Sequence, residues 1–155
     1  MTPWNATSGV VEPRTWVDYI KGNVTEVILY NIGNDKNLNT ASMEQEVANF
    51  TIGSSYRIWL NERWSCMSLF DDAASAKGAC RWEVLVDGKS VYSRLSNAGE
   101  SRPDAKYPTR HRVTGPIVFN ASEKSHDIAF KATRVAKDVG QAAWMINKVV
   151  LTGPW

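Results

Sequence analysis

The chain has 155 residues, of which 43% are hydrophobic and 22% are charged, and this length suits one domain large enough to bury a core. Its 18 basic and 16 acidic residues leave a net charge of only +2, which excludes a strong electrostatic field for nucleic acid. No apolar run reaches the length of a membrane span. We therefore expect a single domain over residues 1–155, with its core at about 14–153.

Strand-like runs follow one another along the chain, separated by turn residues at intervals of about 8–15 residues. This spacing favours an antiparallel sandwich or barrel of about eight to nine strands. Only residues 44–50 and 71–77 show helical character, each enough for a single turn. The predicted strands are Arg14–Ile20, Thr25–Asn31, Ala41–Ala48, Ser55–Glu62, Cys80–Val86, Lys89–Leu95, Tyr107–Phe119, Ser125–Thr133 and Trp144–Thr152.

The fourth run alternates strictly, which predicts one buried and one outward face. Its even positions from Tyr56 to Leu60 are apolar, whereas its odd positions present Arg57, Trp59 and Asn61. An indole between a guanidinium and an amide is the chemistry of a sugar platform, because a pyranose offers an apolar C–H face with a rim of hydroxyls.

Two later segments carry further local signals. Asp87-Gly88 stands between two alternating runs and predicts a tight hairpin, since glycine accepts the positive φ that such a turn requires. Pro116 predicts an edge position or a bulge for its strand. In the last strand Trp144 and Ile146 belong to the core, and Leu151 rejoins it only if a bulge falls near Asn147-Lys148.

The cysteines and the Asn-X-Ser/Thr sequons point to the secretory pathway. Cys66 and Cys80 bracket a polar, alanine-rich loop, and a disulfide between them is expected, the alternative being two unrelated thiols. The start of the chain lacks the charged and apolar regions of a signal peptide, which leaves a cytosolic protein or the mature part of a secreted one. The second is favoured by four sequons, at Asn5, Asn23, Asn49 and Asn120.

The ordered set of strands resembles the galactose-binding-like jelly rolls, in particular carbohydrate-binding modules of the family 4/9/22 type. The matching pieces cover most of the chain from Thr15 to Gly153 and read TWVDYIKGNVTEVI, SMEQEV, IGSSYRIWLNERW, CRWEVLVDGKSVY, SHDIAFKAT and AWMINKVVLTG. The resemblance implies an all-β, two-sheet antiparallel sandwich that binds a polysaccharide or other glycan without catalysis.

The last piece departs from the pattern of these modules. They carry an Ile-Asp-x-Val segment whose aspartate often belongs to a structural calcium site, whereas this chain has Asn147 followed by Lys148. Losing the carboxylate and gaining a cation disfavours calcium, so no cofactor or metal is expected.

Seven residues are candidates for the glycan site. Trp59 would stack on the sugar, and polar side chains from this strand and from a neighbouring one would bind its hydroxyls. The alternative is that a loop covers Trp59 and that the charged residues form an ordinary solvated face. The candidates are Arg57, Trp59, Asn61, Arg63, Trp64, Arg81 and Glu83.

The sequence leaves three functions open. The first is a secreted, non-catalytic glycan-binding domain. The second is a structural or adhesion subunit that packs against copies of itself or a protein partner, because Trp4 and Trp155 near the two ends could dock on a neighbour. The third is a glycoside hydrolase or polysaccharide lyase, for which no catalytic constellation stands out.

Overall fold

A computed structural model describes residues 4–18, 22–30, 39–68, 77–97, 112–136 and 139–155. These ranges contain ten strands, and every pairing between them is antiparallel. The strands are β1 (Asn5–Ser8), β2 (Val10–Asp18), β3 (Gly22–Tyr30), β4 (Thr40–Ala48), β5 (Ser55–Ser68), β6 (Cys80–Val86), β7 (Lys89–Leu95), β8 (Arg112–Asn120), β9 (Ser125–Arg134) and β10 (Val139–Thr152).

The strands form two five-stranded sheets. One, here called the β9 sheet, has the order β1-β4-β9-β6-β7; the other, the β10 sheet, has the order β2-β3-β10-β5-β8. This is the expected two-sheet jelly-roll sandwich. It has more strands than predicted because β1 and the first residues of β2 carry too little apolar alternation to be recognised in the sequence.

The core lies between the two sheets and is rich in aromatic rings. Tyr56, Ile58 and Leu60 of β5 are buried, which confirms the alternation predicted for that strand. Trp144 is buried, as expected, and so is Trp82, whose indole N–H donates to the Ala143 carbonyl at 3.1 Å. The Trp82 indole is therefore buried without leaving its N–H unsatisfied.

Two predicted local features are confirmed. Asp87 and Gly88, with φ of 50° and 74°, form the turn between β6 and β7. The register of β10 against β5 shifts between Ile146 and Lys148, which is the bulge expected there. Beyond it Leu151 packs against the core.

The disulfide between Cys66 and Cys80 is also confirmed. It joins β5 to β6, with 5.8 Å between the two Cα atoms, and so links the two sheets across the core. Both cysteines are fully buried.

Three smaller expectations have different outcomes. Residues 44–48 are strand, not helix, because alternating burial of Ala41, Met43 and Gln45 fixes β4 in the sheet. Residues 71–76 lie outside the described ranges. Pro116 lies on β8, the edge strand of the β10 sheet, where the register shifts, as predicted.

The described residues include no helix that could span a membrane.

Candidate functional site

The outward face of β5 carries three of the predicted residues in a row. Arg57 is exposed, and Trp59 and Asn61 are half-buried. Their neighbours Ile58 and Leu60 point into the core, so the pleat of the strand fixes the outward direction of all three. We call these three side chains the β5 row.

Trp59 rests against the backbone of the edge strand β8. A β-carbon built on Gly115 would lie 3.0 Å from Cε3 and 3.2 Å from Cδ2 of the indole. Only a glycine leaves this space open, so Gly115 gives the indole its seat, and the sequence offered no signal for that contact. The ring is held by the sheet on one side, which reduces the entropy that a ligand would have to overcome.

Arg63 is the next outward position of β5 after Asn61, but unlike the β5 row it is buried. Its side chain is only 6% exposed, and the residues beside it on β10 and β3, Met145 and Ile28, are buried as well. Alternation assigns a face to a residue but not its exposure, so the outward position of Arg63 in the strand did not reveal its burial.

Trp64 points into the sandwich and is 7% exposed. Its ring lies between two guanidinium groups, Arg94 of β7 at 3.6 Å and Arg112 of β8 at 3.5 Å from the ring centroid. This stack joins the edge strands of the two sheets through cation–π contacts. Its position indicates a structural role for Trp64.

Arg81 and Glu83 do not join the β5 row. The expectation that their strand neighbours β5 is wrong, because β6 belongs to the β9 sheet. Their side chains face outward on the opposite side of the sandwich, where Glu83 lies across from Lys131. Two sheets pack about 10 Å apart, so no single sugar ring reaches both outer faces.

Two residues that were not among the candidates lie beside the β5 row. Lys148 is exposed and pairs directly with Asn61 across β10 and β5. Trp155 is 68% exposed, and the guanidinium of Arg57 lies 4.7 Å from its ring centroid. The sequence marked both residues for other reasons, but it did not show which strand they would adjoin.

A buried carboxyl lies behind the β5 row. Glu62 is 1% exposed, and the indole N–H of Trp144 donates to its Oε2. Desolvation raises the pKa of Glu62, and the hydrogen bonds from Thr114 and Trp144 and the charge of Arg112 oppose this effect only in part. Oε1 has no hydrogen-bond partner among the described residues.

Tyr92 responds to the same cluster. Burial raises the pKa of its hydroxyl, and the nearby Glu62 carboxylate raises it further. The carboxyl and the phenol are thus both biased towards their neutral forms. They lie on the core side of their strands, away from the face that carries Trp59.

A cleft of about 800 Å³ opens between the sheets near Trp4. Its walls combine aliphatic side chains, among them Ile58, Ile128 and Leu151, with the polar residues Gln45, Glu46 and Asn49. The ring of Trp4 packs on Phe130 at a tilt of 51°, with 5.1 Å between centroids. Trp4 therefore packs against the core at the wall of this cleft.

Three of the sequon asparagines, Asn5, Asn49 and Asn120, are exposed. Asn120 accepts a hydrogen bond from the Ser55 hydroxyl at 2.5 Å. The fourth, Asn23, lies on β3, and its side chain is outside the described part of the structure.

Among the described residues, no cluster of three or more histidine, cysteine or acidic side chains could hold a metal ion. Asn147, at the bulge of β10, has a buried side-chain oxygen with no hydrogen-bond partner among the described residues.

The folded chain is similar to solved β-sandwich domains. It matches the C-terminal domain of EclA, described as a sugar-binding protein, with a TM-score of 0.50 and 12% identity over 94% of this chain and 84% of that one. It also matches a CBM36 carbohydrate-binding module in complex with calcium and xylotriose (TM-score 0.48, 9% identity, 97% and 100% covered). A third match is TmCBM61 in complex with β-1,4-galactotriose (0.48, 11%, 97% and 88%).

No protein-family model and no curated protein sequence matches the chain. The structural likeness at such low identity establishes the fold class, a jelly-roll β-sandwich, and the fold alone.

Proposed function

We propose that this chain is a non-catalytic glycan-binding domain whose site is the β5 row. The observation that carries the proposal is Trp59: an indole seated on the Gly115 backbone, with Arg57 and Asn61 on either side along one strand. A flat aromatic surface flanked by hydrogen-bonding groups binds the apolar face and the hydroxyl rim of a sugar ring together. The sugar-binding description of the EclA domain, which shares this fold, agrees with the proposal.

The test is retention on polysaccharide. Trp59→Ala should weaken binding by at least about thirtyfold, the effect of losing a central aromatic contact. Trp59→Leu keeps apolar bulk on Gly115 but has no flat ring, so it should fold like the parent and lose binding to a similar degree. A Trp59→Leu variant that folds and binds as the parent does would refute the proposal.

A matched control comes from the opposite face. Leu95 is 46% exposed on β7, and Leu95→Ala removes an exposed apolar group from the β9 sheet. It should bind as the parent does. Loss of binding in this variant would show that the glycan site lies on the outer face of the β9 sheet, which would contradict the proposal.

The domain would belong to an extracellular protein, with residues 1–155 as one unit. The inter-sheet disulfide and the exposed asparagines of three sequons support this setting. Mass spectrometry of protein from a secretory host would test it, and unmodified Asn5, Asn49 and Asn120 would count against a glycoprotein.

Self-association is a second candidate function. Of the two terminal tryptophans that suggested it, only the one at the C-terminal end is largely exposed. Trp155 is 68% exposed, whereas Trp4 is half-buried on Phe130. Val113 and Val118 on the edge strand β8 are also exposed, at 69% and 53%. Light scattering of the dilute protein separates the two candidates, since a strict monomer that binds glycan supports the first.

A further inference from the structure

The charges on the two outer faces of the sandwich differ. The three adjacent strands β10, β5 and β8 contain one carboxylate, Glu62, which points into the core. Their outward positions include three cationic side chains, Arg57, Arg63 and Lys148. Arg63 is buried, so Arg57 and Lys148 are the two of these that solvent reaches.

The outer face of the β9 sheet carries more negative than positive side chains on its described strands β4, β6 and β9. Its described outward side chains comprise four acids and two cations on β4, β6 and β9. They are Glu44, Glu46, Glu83, Asp127, Arg81 and Lys131. The charged outward side chains of β10, β5 and β8 around Trp59 are therefore cations. The same sheet also carries an exposed acid, Glu12, on its far edge strand β2. On β4, β6 and β9 of the opposite face, acids outnumber cations.

The two accessible cations flank the indole. Lys148 pairs with Asn61 across the strands, and Trp59 pairs with Val150, so Lys148 is the diagonal neighbour of Trp59, about 7–8 Å away. Arg57 precedes Trp59 by two residues on the same face, which separates them by about 7 Å along the strand. A pyranose lying on Trp59 would therefore meet a cation on each of two sides.

The bulge in β10 directs Lys148 outward. It adds one residue between Ile146 and Lys148, so that Ile146 and Val149 both contact the core while Lys148 is exposed. Without the extra residue the alternation would turn Lys148 towards the core. The feature that aims the cation is thus part of the sheet and not a mobile loop.

Building on the proposed glycan-binding function, we propose that the ligand is an anionic glycan, a polysaccharide that carries carboxylate or sulfate groups. Its sugar ring stacks on Trp59, and its anionic substituents contact Lys148 and Arg57. The absence of outward carboxylates on β10, β5 and β8 favours such a ligand, because nothing on these strands repels it.

The experiment compares polymers that differ only in charge. Polygalacturonate is compared with its fully methyl-esterified form, and dextran sulfate with dextran, by affinity electrophoresis or calorimetry. The charged member of at least one pair should bind several-fold more tightly, and the advantage should shrink as sodium chloride rises from about 0.05 M to 0.5 M. The two pairs also separate carboxylate from sulfate recognition.

Lys148→Gln gives the matching variant, and Lys131→Gln is its control, because it removes the same charge from the opposite face. Lys148→Gln should weaken binding to the charged polymer about two- to fivefold and leave binding to the neutral polymer unchanged. Lys131→Gln should change neither.

The outcomes separate the two proposals. Equal binding to charged and neutral polymers, lost in Trp59→Leu, would refute the anionic ligand while the glycan-binding function stands. Equal loss in the two lysine variants would show a non-specific charge effect and also refute it. Binding to no polymer of either kind would overturn both proposals.

Discussion

The indole of Trp59 lies directly on Gly115 of the edge strand β8. A β-carbon at Gly115 would lie 2.7 Å from the Ile58 carbonyl oxygen and 3.0 Å from Cε3 of Trp59, and the residue has a φ of 136°. The platform that we propose for glycan binding therefore depends on a glycine that contributes no side chain to it.

Gly115→Ala should weaken both folding and binding. The added methyl contacts backbone at 2.7 Å and must adopt a strained φ, which should cost about 2–3 kcal/mol of unfolding free energy. Gly53→Ala is the control, since Gly53 has a φ of 82° and nothing within 4 Å of an added β-carbon. Its cost should be about 1 kcal/mol, from the φ strain alone. Urea unfolding measures both, and equal losses would show that the contacts at Gly115 are unimportant.

Glu62→Gln should change how stability depends on pH. Burial holds the pKa of Glu62 above its ordinary value of 4.5, so the folded protein binds a proton more tightly than the unfolded chain does. The stability that Glu62 contributes is complete below pH 4.5 and is lost as pH rises through the raised pKa. As pH rises through this window, the parent should therefore lose unfolding free energy that the Glu62→Gln variant keeps. Parallel stability curves would contradict the assignment.

Asp87 should give the opposite dependence. Desolvation acts to raise its pKa, but hydrogen bonds from His126 Nδ1, at 2.5 Å, and from the Asp127 N–H, at 2.9 Å, outweigh it and lower the pKa. Its contribution is present above the ordinary value of 3.8 and is lost as pH falls through the lowered pKa.

Asp87→Asn tests that contribution, because asparagine tolerates the positive φ of this turn position. It should cost about 1 kcal/mol at pH 7, a modest value because the aspartate is 45% exposed. The difference from the parent should shrink in acid. A difference that stays constant down to about pH 2 would contradict the stabilisation of the Asp87 carboxylate by these hydrogen bonds.

Removing the disulfide should destabilise the fold by about 3 kcal/mol, the loop-closure entropy for a separation of 14 residues. The Cys66→Ala, Cys80→Ala double variant should show this loss in thermal or urea unfolding. Reductant should lower the midpoint of the parent and leave that of the double variant unchanged. If reductant does not affect the parent, the bridge does not contribute to stability.

The sequence predicted well what depends on local pattern. Alternation placed Tyr56, Ile58 and Leu60 in the core, and the Asp87-Gly88 pair predicted its hairpin. The bulge in β10 followed from a break in the same periodicity. Each of these features is decided by residues within one strand or one turn, which is why no distant contact was needed to find it.

Features that depend on which strands adjoin were not predictable. Arg81 and Glu83 alternate as Arg57 and Asn61 do, but the order of the sheets places them on opposite sides of the sandwich. The burial of Arg63 and the seat of Trp59 on Gly115 likewise depend on residues far away in the chain. The order of strands in a sheet depends on how whole surfaces fit together, and the alternation within one strand does not indicate which strands are its neighbours.

The most direct test of the account is a titration followed through the indole N–H signals in a ¹H–¹⁵N spectrum, with Trp59→Phe used to assign the signal of Trp59. On adding short oligosaccharides from the best-retained polymer, the Trp59 signal should shift strongly, and those of the buried Trp64, Trp82 and Trp144 should stay in place. Saturable shifts at the buried tryptophans with an unchanged Trp59 signal would contradict a glycan site on the outer face of β5.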